Sequence, residues 1–209
     1  MIRVSARMTE PATAYDWGER LPTLGGGRLA LRWLDQGDVP VLFDIFSDVE
    51  VMRYWSSPPL STLAEASELL RSIHRGFHER SLFQWGIALP PEPTVVGTCT
   101  LYHLNPAHRR AEVGFALGRR HWGRGIAGEA VATLIEFAFG TLALHRLEAD
   151  TDPRNERSVR LLERQGFRRE GHLRDRYHVG GEIQDTVILG LLRREWRRAP
   201  EPPDRGVQP

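Results

Sequence analysis

The sequence predicts an α/β protein, with a mixed and mostly antiparallel sheet of about seven strands flanked by about four helices. Three observations carry this. Strand-like and helix-like stretches follow one another in the order β-α-α-β-β-β-α-β-α-β-β. Three strand signals sit close together in mid-chain, with only Pro90-Pro91 and Asn105-Pro106 between them, which suits an antiparallel meander. A long amphipathic stretch then opens at Ile126.

The elements follow from local pattern. Arg28 to Trp33 alternates at period two and reads as a strand. Asp38 to Phe46 reads as a short helix. Thr62 to His78 reads as a longer one, with Thr62 as cap and Glu65 three residues on, a capping box. Strands are expected at Gln84–Leu89, Val95–Leu104 and Ala111–Leu117. Ile126, Ala127, Ala130, Val131, Leu134, Ile135, Ala138 and Phe139 share one helical face, and Gly140 ends that helix. Arg146–Asp150 reads as a strand, and Asn155 caps a helix that stops at Gly166. Two last strands, Arg174–Val179 and Thr186–Leu192, are joined through Gly180-Gly181. The expected organisation is an irregular arm over 1–24, one domain over 25–195 and a disordered, proline-rich tail over 196–209.

Composition narrows the function. A chain of 209 residues can bury a full single-domain core. It has no apolar run long enough for a membrane helix and no secretory h-region, and its single cysteine, Cys99, excludes an intrachain disulfide. These features predict a cytoplasmic protein that does not associate with membranes. No histidine, cysteine and acid cluster has metal-site spacing, so no metal is expected. A net charge of +1, with arginines interspersed among acids, argues against nucleic acid as partner. All 28 Lys+Arg residues are arginine, which removes Schiff-base chemistry and a Walker-type phosphate lysine.

The chemistry-bearing segment runs from Glu112-Val113-Gly114-Phe115-Ala116-Leu117 into Arg120-His121-Trp122-Gly123-Arg124-Gly125-Ile126-Ala127. A strand carrying one acid leads to a basic, glycine-rich turn that opens a helix. No Ser, Thr, Asp or Asn caps that helix, so its first amides lack a side-chain partner. An external anion can satisfy them, aided by the helix dipole; a turn solvated by water is the alternative. Gly123-Arg-Gly125-Ile-Ala-Gly128 also fits the dinucleotide pattern G-x-G-x-x-G. Gly118 to Trp122 intervene between strand and first glycine, however, and a preceding meander leaves no room for a doubly wound sheet.

Further motifs, in one order, make the pattern specific. Arg120-x-x-Gly123-x-Gly125-x-Ala127 resembles the acetyl-CoA signature of the GNAT acetyltransferases. Arg28-Leu-Ala-Leu-Arg32 resembles the opening strand of the subfamily that includes ribosomal-protein N-terminal acetyltransferases. Ala111-Glu112-Val113-Gly114-Phe115 resembles its fourth strand, and Trp122-Gly-Arg-Gly-Ile-Ala-Gly-Glu-Ala130 its signature helix start. Asn155-x-x-Ser158-x-x-Leu161-Leu162-x-x-x-Gly166-Phe167 resembles the second helical motif. The matches cover about residues 28–192.

The resemblance implies a GNAT fold splayed between its fourth and fifth strands, with acetyl-CoA as acetyl donor. Backbone groups of Phe115, Ala116 and Leu117 would pair with pantetheine like an added strand. The segment Arg120, His121, Trp122, Gly123, Arg124, Gly125, Ile126 and Ala127 would hold the diphosphate. The Asn155 side chain would reach pantetheine from the far side, although Asn before a helix also serves as a plain N-cap. Glu112 is the candidate general base, against the alternative of an exposed strand acid. A lysine amine has a pKa of about 10.4 and an α-amine one of about 7.7–8.0, so a modest base suffices for the latter. Many members carry Tyr as general acid where this chain has Leu162. Ser158 is the matched replacement, against the alternative of a first-turn serine. Cys99 reads as packed rather than nucleophilic, so transfer would be direct.

Tyr54 and Trp55, with Arg53 beside them, are candidates for an acceptor pocket, although aromatics before Pro58-Pro59 also suit a core. The expected partner is a primary amine, foremost a protein or peptide N-terminus, without membrane or direct nucleic-acid binding. Small amines such as polyamines or antibiotics, and a non-catalytic CoA-binding module, remain the alternatives. The exposed late strands are a candidate homodimer surface.

Overall fold

A computed structural model describes residues 18–26 and 28–196. Its elements are β1 (Leu24–Gly25), β2 (Ala30–Arg32), a 3-10 turn (Gln36–Asp38), α1 (Val39–Phe46), α2 (Val49–Met52) and α3 (Leu63–His78). They continue with β3 (Leu82–Ala88), β4 (Val95–Asn105), β5 (Arg110–Leu117), a second 3-10 turn (Arg119–His121) and α4 (Ile126–Gly140). β6 (Arg146–Thr151), α5 (Glu156–Arg164), β7 (Arg168–Val179) and β8 (Glu182–Leu192) complete the chain. All strands join one sheet in the order β1-β2-β3-β4-β5-β6-β8-β7. Only β5 and β6 pair in parallel; every other neighbouring pair is antiparallel.

The mixed, mostly antiparallel sheet is as expected, and three details differ. The strand count is eight because Leu24–Gly25, too short to show alternation, pairs with β2. The one-turn helix α2, capped by the Asp48 side chain on the Glu50 amide, is too short for periodicity to reveal. β7 starts six residues before Arg174, at Arg168. It is a sheet edge with nearly every side chain exposed, so it carries no hydrophobic alternation. Of the arm placed at 1–24, the described part includes Leu21, only 3% exposed, and Pro22, whose carbonyl accepts from Trp85 Nε1 at 2.9 Å. The tail placed at 196–209 lies outside the described residues except for Trp196. No helix among the described residues is long and apolar enough to cross a membrane.

Local chemistry fixes the helix ends. Thr62 Oγ1 accepts from the Glu65 amide at 3.2 Å, while the Glu65 carboxylate reaches past Thr62 to the Ser61 amide at 2.7 Å. The capping box is thus displaced by one residue on its return arm. The buried Asp38 accepts from both terminal nitrogens of Arg32 and from the Asp35 amide, pinning β2 to the first 3-10 turn.

The sheet has helices on both faces. α4 buries Ile126, Ala130, Val131, Leu134 and Ala138 against Cys99, Leu101, Ala111, Val113, Leu147 and Leu189. α1 and α3 bury Leu42, Ile45, Phe46, Leu70 and Ile73 with Val95 and Ala116 on the other face. Side chains along β5 therefore alternate, with Val113 toward α4 and Ala116, hence Glu112, toward the α1 side.

The feature that positions the site is a split. β5 pairs with β6 only through Arg110↔Arg146, Ala111↔Leu147 and Glu112↔Glu148. Beyond that rung β5 stays on β4 as far as Leu117, and β6 stays on β8 as far as Thr151. Each strand follows its other partner, and two facing edges open between them. This is the splay that the resemblance implies.

Candidate active site

A cavity of about 1110 Å³ runs along the β5 side of the split and reaches both sides of the sheet, with Glu112 outside its lining. Phe115, Ala116 and Leu117 form its β5 wall, and Val51, Tyr54 and Trp55 close the α2 side. The start of α4 lines it with His121, Trp122, Gly123, Gly125, Ile126 and Ala127. Asn155, Ser158 and Leu161 line it from α5. Most of the residues proposed from sequence for cofactor and acceptor thus converge on one space. Arg124 does not line it; its carbonyl accepts from the Arg28 guanidinium. Arg120 lies along a different and larger groove, with Arg32, Asp38 and Gly118. That larger groove carries none of the open strand edge.

The turn before α4 is built to present amides. Gly123 and Gly125 have φ of 74° and 77°, the left-handed region that costs glycine least. A Cβ at either would meet nothing within 4 Å, so the space in front of the turn is open. No side chain caps α4, and its first backbone bond runs from the Glu129 amide to the Gly125 carbonyl at 3.1 Å. The preceding amides lack intrahelical acceptors, and the alternation of positive and negative φ turns them into an anion-binding concavity. This arrangement fits a diphosphate. Trp122 holds the turn in place, its Nε1 donating to the Leu117 carbonyl at 2.6 Å. That bond occupies one carbonyl of the β5 wall. His121 is held below the usual histidine range by partial burial and then by the Arg124 and Arg120 charges.

Asn155 serves as N-cap of α5, its Oδ1 accepting from the Ser158 amide at 3.2 Å, while it also lines the cavity. The capping role uses the oxygen and leaves the amide nitrogen as a donor. Leu162, which stands where the resemblance implies a tyrosine, is 2% exposed and belongs to the core.

Glu112 stands on the last paired rung, at the vertex of the split. His103 Nδ1 lies 2.9 Å from its Oε1, and Tyr102 is its cross-strand partner. The Tyr102 hydroxyl donates to Asp150 Oδ1 at 3.2 Å, and Tyr177 donates to Asp150 Oδ2 at 2.6 Å. Burial above all, then the Asp150 and Glu112 charges, raises the Tyr102 pKa and keeps its phenol protonated. Sequence reasoning missed Tyr102 and Tyr177 and their convergence on Asp150, because strand register brings them together and no motif spaces them. Glu148 is occupied by Arg110 at 2.6 Å and Arg146 at 2.7 Å. Among the described residues no group of three or more His, Cys, Asp or Glu is arranged to hold a metal.

Comparison with known proteins gives this geometry a family. The family described as "Acetyltransferase (GNAT) domain" matches residues 28–168. The chain is 36% identical to a Bacillus licheniformis protein named uncharacterized N-acetyltransferase p20, over 84% of this chain and 99% of that one. It is 30% identical to the [ribosomal protein uS5]-alanine N-acetyltransferase of Escherichia coli (strain K12), over 57% of this chain and 63% of that one. The crystal structure of spermidine N-acetyltransferase from Vibrio cholerae, in complex with CoA and spermine, superposes with a TM-score of 0.73 at 25% identity, covering 81% of this chain and 98% of that one. With its split sheet, its uncapped glycine turn and these similarities, the chain belongs to the GNAT acetyltransferase domain family and is an acyltransferase.

Proposed function

We propose that this protein transfers the acetyl group of acetyl-CoA directly to a primary amine, with a peptide or protein N-terminal α-amine as acceptor. The observation that carries the reading is the convergence of an open β5 edge and an uncapped helix start on one cavity. The edge from Val113 to Leu117 offers backbone groups to pantetheine, as an added strand would. The amides from His121 to Ala127 hold the diphosphate, and the amide nitrogen of Asn155 contacts pantetheine from the opposite wall. Bound acetyl-CoA supplies a thioester carbonyl at the vertex of the split.

Glu112 takes the proton of the attacking amine, directly or through a water, as the C–N bond forms. Ser158 returns a proton to the sulfur as the C–S bond breaks. Tyr54 and Trp55 shape the acceptor side. Arg53 and Arg154 place guanidinium carbons 5.4 and 5.8 Å from the Tyr54 ring centre. Arg154 is already paired with Asp152 and Glu182, so Arg53 is the cation that faces the acceptor there, and it suits a peptide, whose carbonyls and carboxylates accept from arginine. The single cysteine, buried and free, suits a reducing cytoplasm.

The test is acetyl-CoA-dependent thiol release with a panel of N-terminal peptides, spermidine and other small amines. Peptides are expected to give the higher kcat/KM; preference for spermidine would overturn the acceptor class. Glu112→Gln should lower kcat by about a hundredfold or more, the usual contribution of a general base, with CoA affinity unchanged. Equal loss of turnover and CoA affinity would remove Glu112 from the base role.

A further inference from the structure

α5 carries Arg157, Arg160 and Arg164 at i, i+3 and i+7, one face of the helix, and all three line the cavity in the split. That face lies alongside the turn before α4. At one end the Arg157 guanidinium carbon sits 5.4 Å from the Trp122 ring centre. At the other, Gln165 Nε2, next to Arg164, donates to the Gly128 carbonyl at 3.1 Å. The helix therefore spans the turn from Trp122 to Gly128, and Arg157 and Arg164 flank it about 10 Å apart along the helix axis.

Two of these three charges are not matched by an ion pair among the described residues. Arg160 is paired with Glu156 at 2.8 Å. Arg157 and Arg164 have no ion pair among the described residues. The stacking of Arg157 on Trp122 leaves its N–H donors free. The amides of the turn already match a diphosphate, so two further guanidinium groups beside them exceed what that group needs. Guanidinium binds phosphate bidentately, and a second, separate phosphate is the ligand this surplus fits.

We propose that Arg157 and Arg164 form a subsite for the 3′-phosphate of the acetyl donor, so that the enzyme selects CoA over 3′-dephospho-CoA. The inference rests on the reading that the turn holds the donor's diphosphate. The two ligands differ only in the group concerned, and each serves as control for the other.

Calorimetric titration of wild type, Arg157→Gln, Arg164→Gln and the double variant with CoA and with 3′-dephospho-CoA tests it. Wild type should bind CoA at least tenfold more tightly than the dephospho form. The double variant should lose that preference, its CoA affinity falling to that for 3′-dephospho-CoA, which stays within twofold of wild type. Both arginines are exposed, and the retained dephospho-CoA affinity reports an intact fold. Equal wild-type affinities for the two ligands overturn the subsite, as does an equal weakening of both by the substitutions. Loss of binding of both ligands by wild type would instead overturn the diphosphate reading, and the subsite with it.

Discussion

At the scale of single residues, environment decides what each reactive group can do. Cys99 is wholly buried in β4, and burial pushes its thiol up to about 12. A thiol in that state is neither nucleophile nor acyl carrier. Ellman's reagent should label it only after denaturation, and Cys99→Ala should retain acetyl transfer; labelling of the folded protein together with loss of turnover would restore a covalent mechanism. His121 titrates below the ordinary range because of burial and then its arginine neighbours. A polyanion seated on the adjacent turn raises that pKa, so binding takes up a proton. Affinity should therefore rise as pH falls through the bound-state pKa and stop rising below the free-state one. Comparing CoA affinity of wild type and His121→Asn between pH 8 and pH 6 cancels the titration of the ligand itself, and the wild-type advantage should grow toward acid. A constant ratio would place His121 away from the phosphates.

At the scale of elements, the turn from Gly118 to Gly128 works through backbone geometry. Its two left-handed glycines aim amides at open space, and Trp122 ties it to β5. Gly123→Asp and Gly123→Asn separate shape from charge, since both residues tolerate a positive φ. The Asp variant should weaken CoA binding by about a hundredfold or more, because like charges brought together cost several kcal/mol, whereas Asn should retain most of the affinity. Equal affinity of the two would exclude a phosphate there. The turn was legible in the sequence because glycines and a missing cap are local signals. So were the face of α4 and the Asn155 cap. α2 and the start of β7 were not, the first for its length and the second because an exposed edge strand has no alternation to read.

At the scale of the whole molecule, the site exists because two halves of one sheet meet over only three rungs. An ion-pair chain fastens those rungs from below. Arg110 and Arg146 hold Glu148, and Arg146 also grips Glu170, whose carboxyl it keeps below the usual range. The chain thus links β5, β6 and β7 where backbone pairing ends. Glu148→Gln removes the negative charge at its centre and should cost about 1–2 kcal/mol by urea unfolding, the scale of two partly exposed pairs acting as a network. Hydrogen exchange should quicken in β5 and β6 before the rest of the sheet; uniform protection would make the network incidental to the split.

By itself the sequence determined most of the elements, the uncapped glycine turn, the acid on β5 and the family they resemble, because each is written in local spacing and residue type. It also marked Leu162 as a departure. Only the tertiary structure decided that the strands part directly after Glu112, that Tyr102 and Tyr177 converge on Asp150, and that α5 lays its arginines along the turn. Those facts depend on strand register and on which faces of two helices meet. Register and facing are set by contacts between residues far apart in the chain, where no local pattern can specify them.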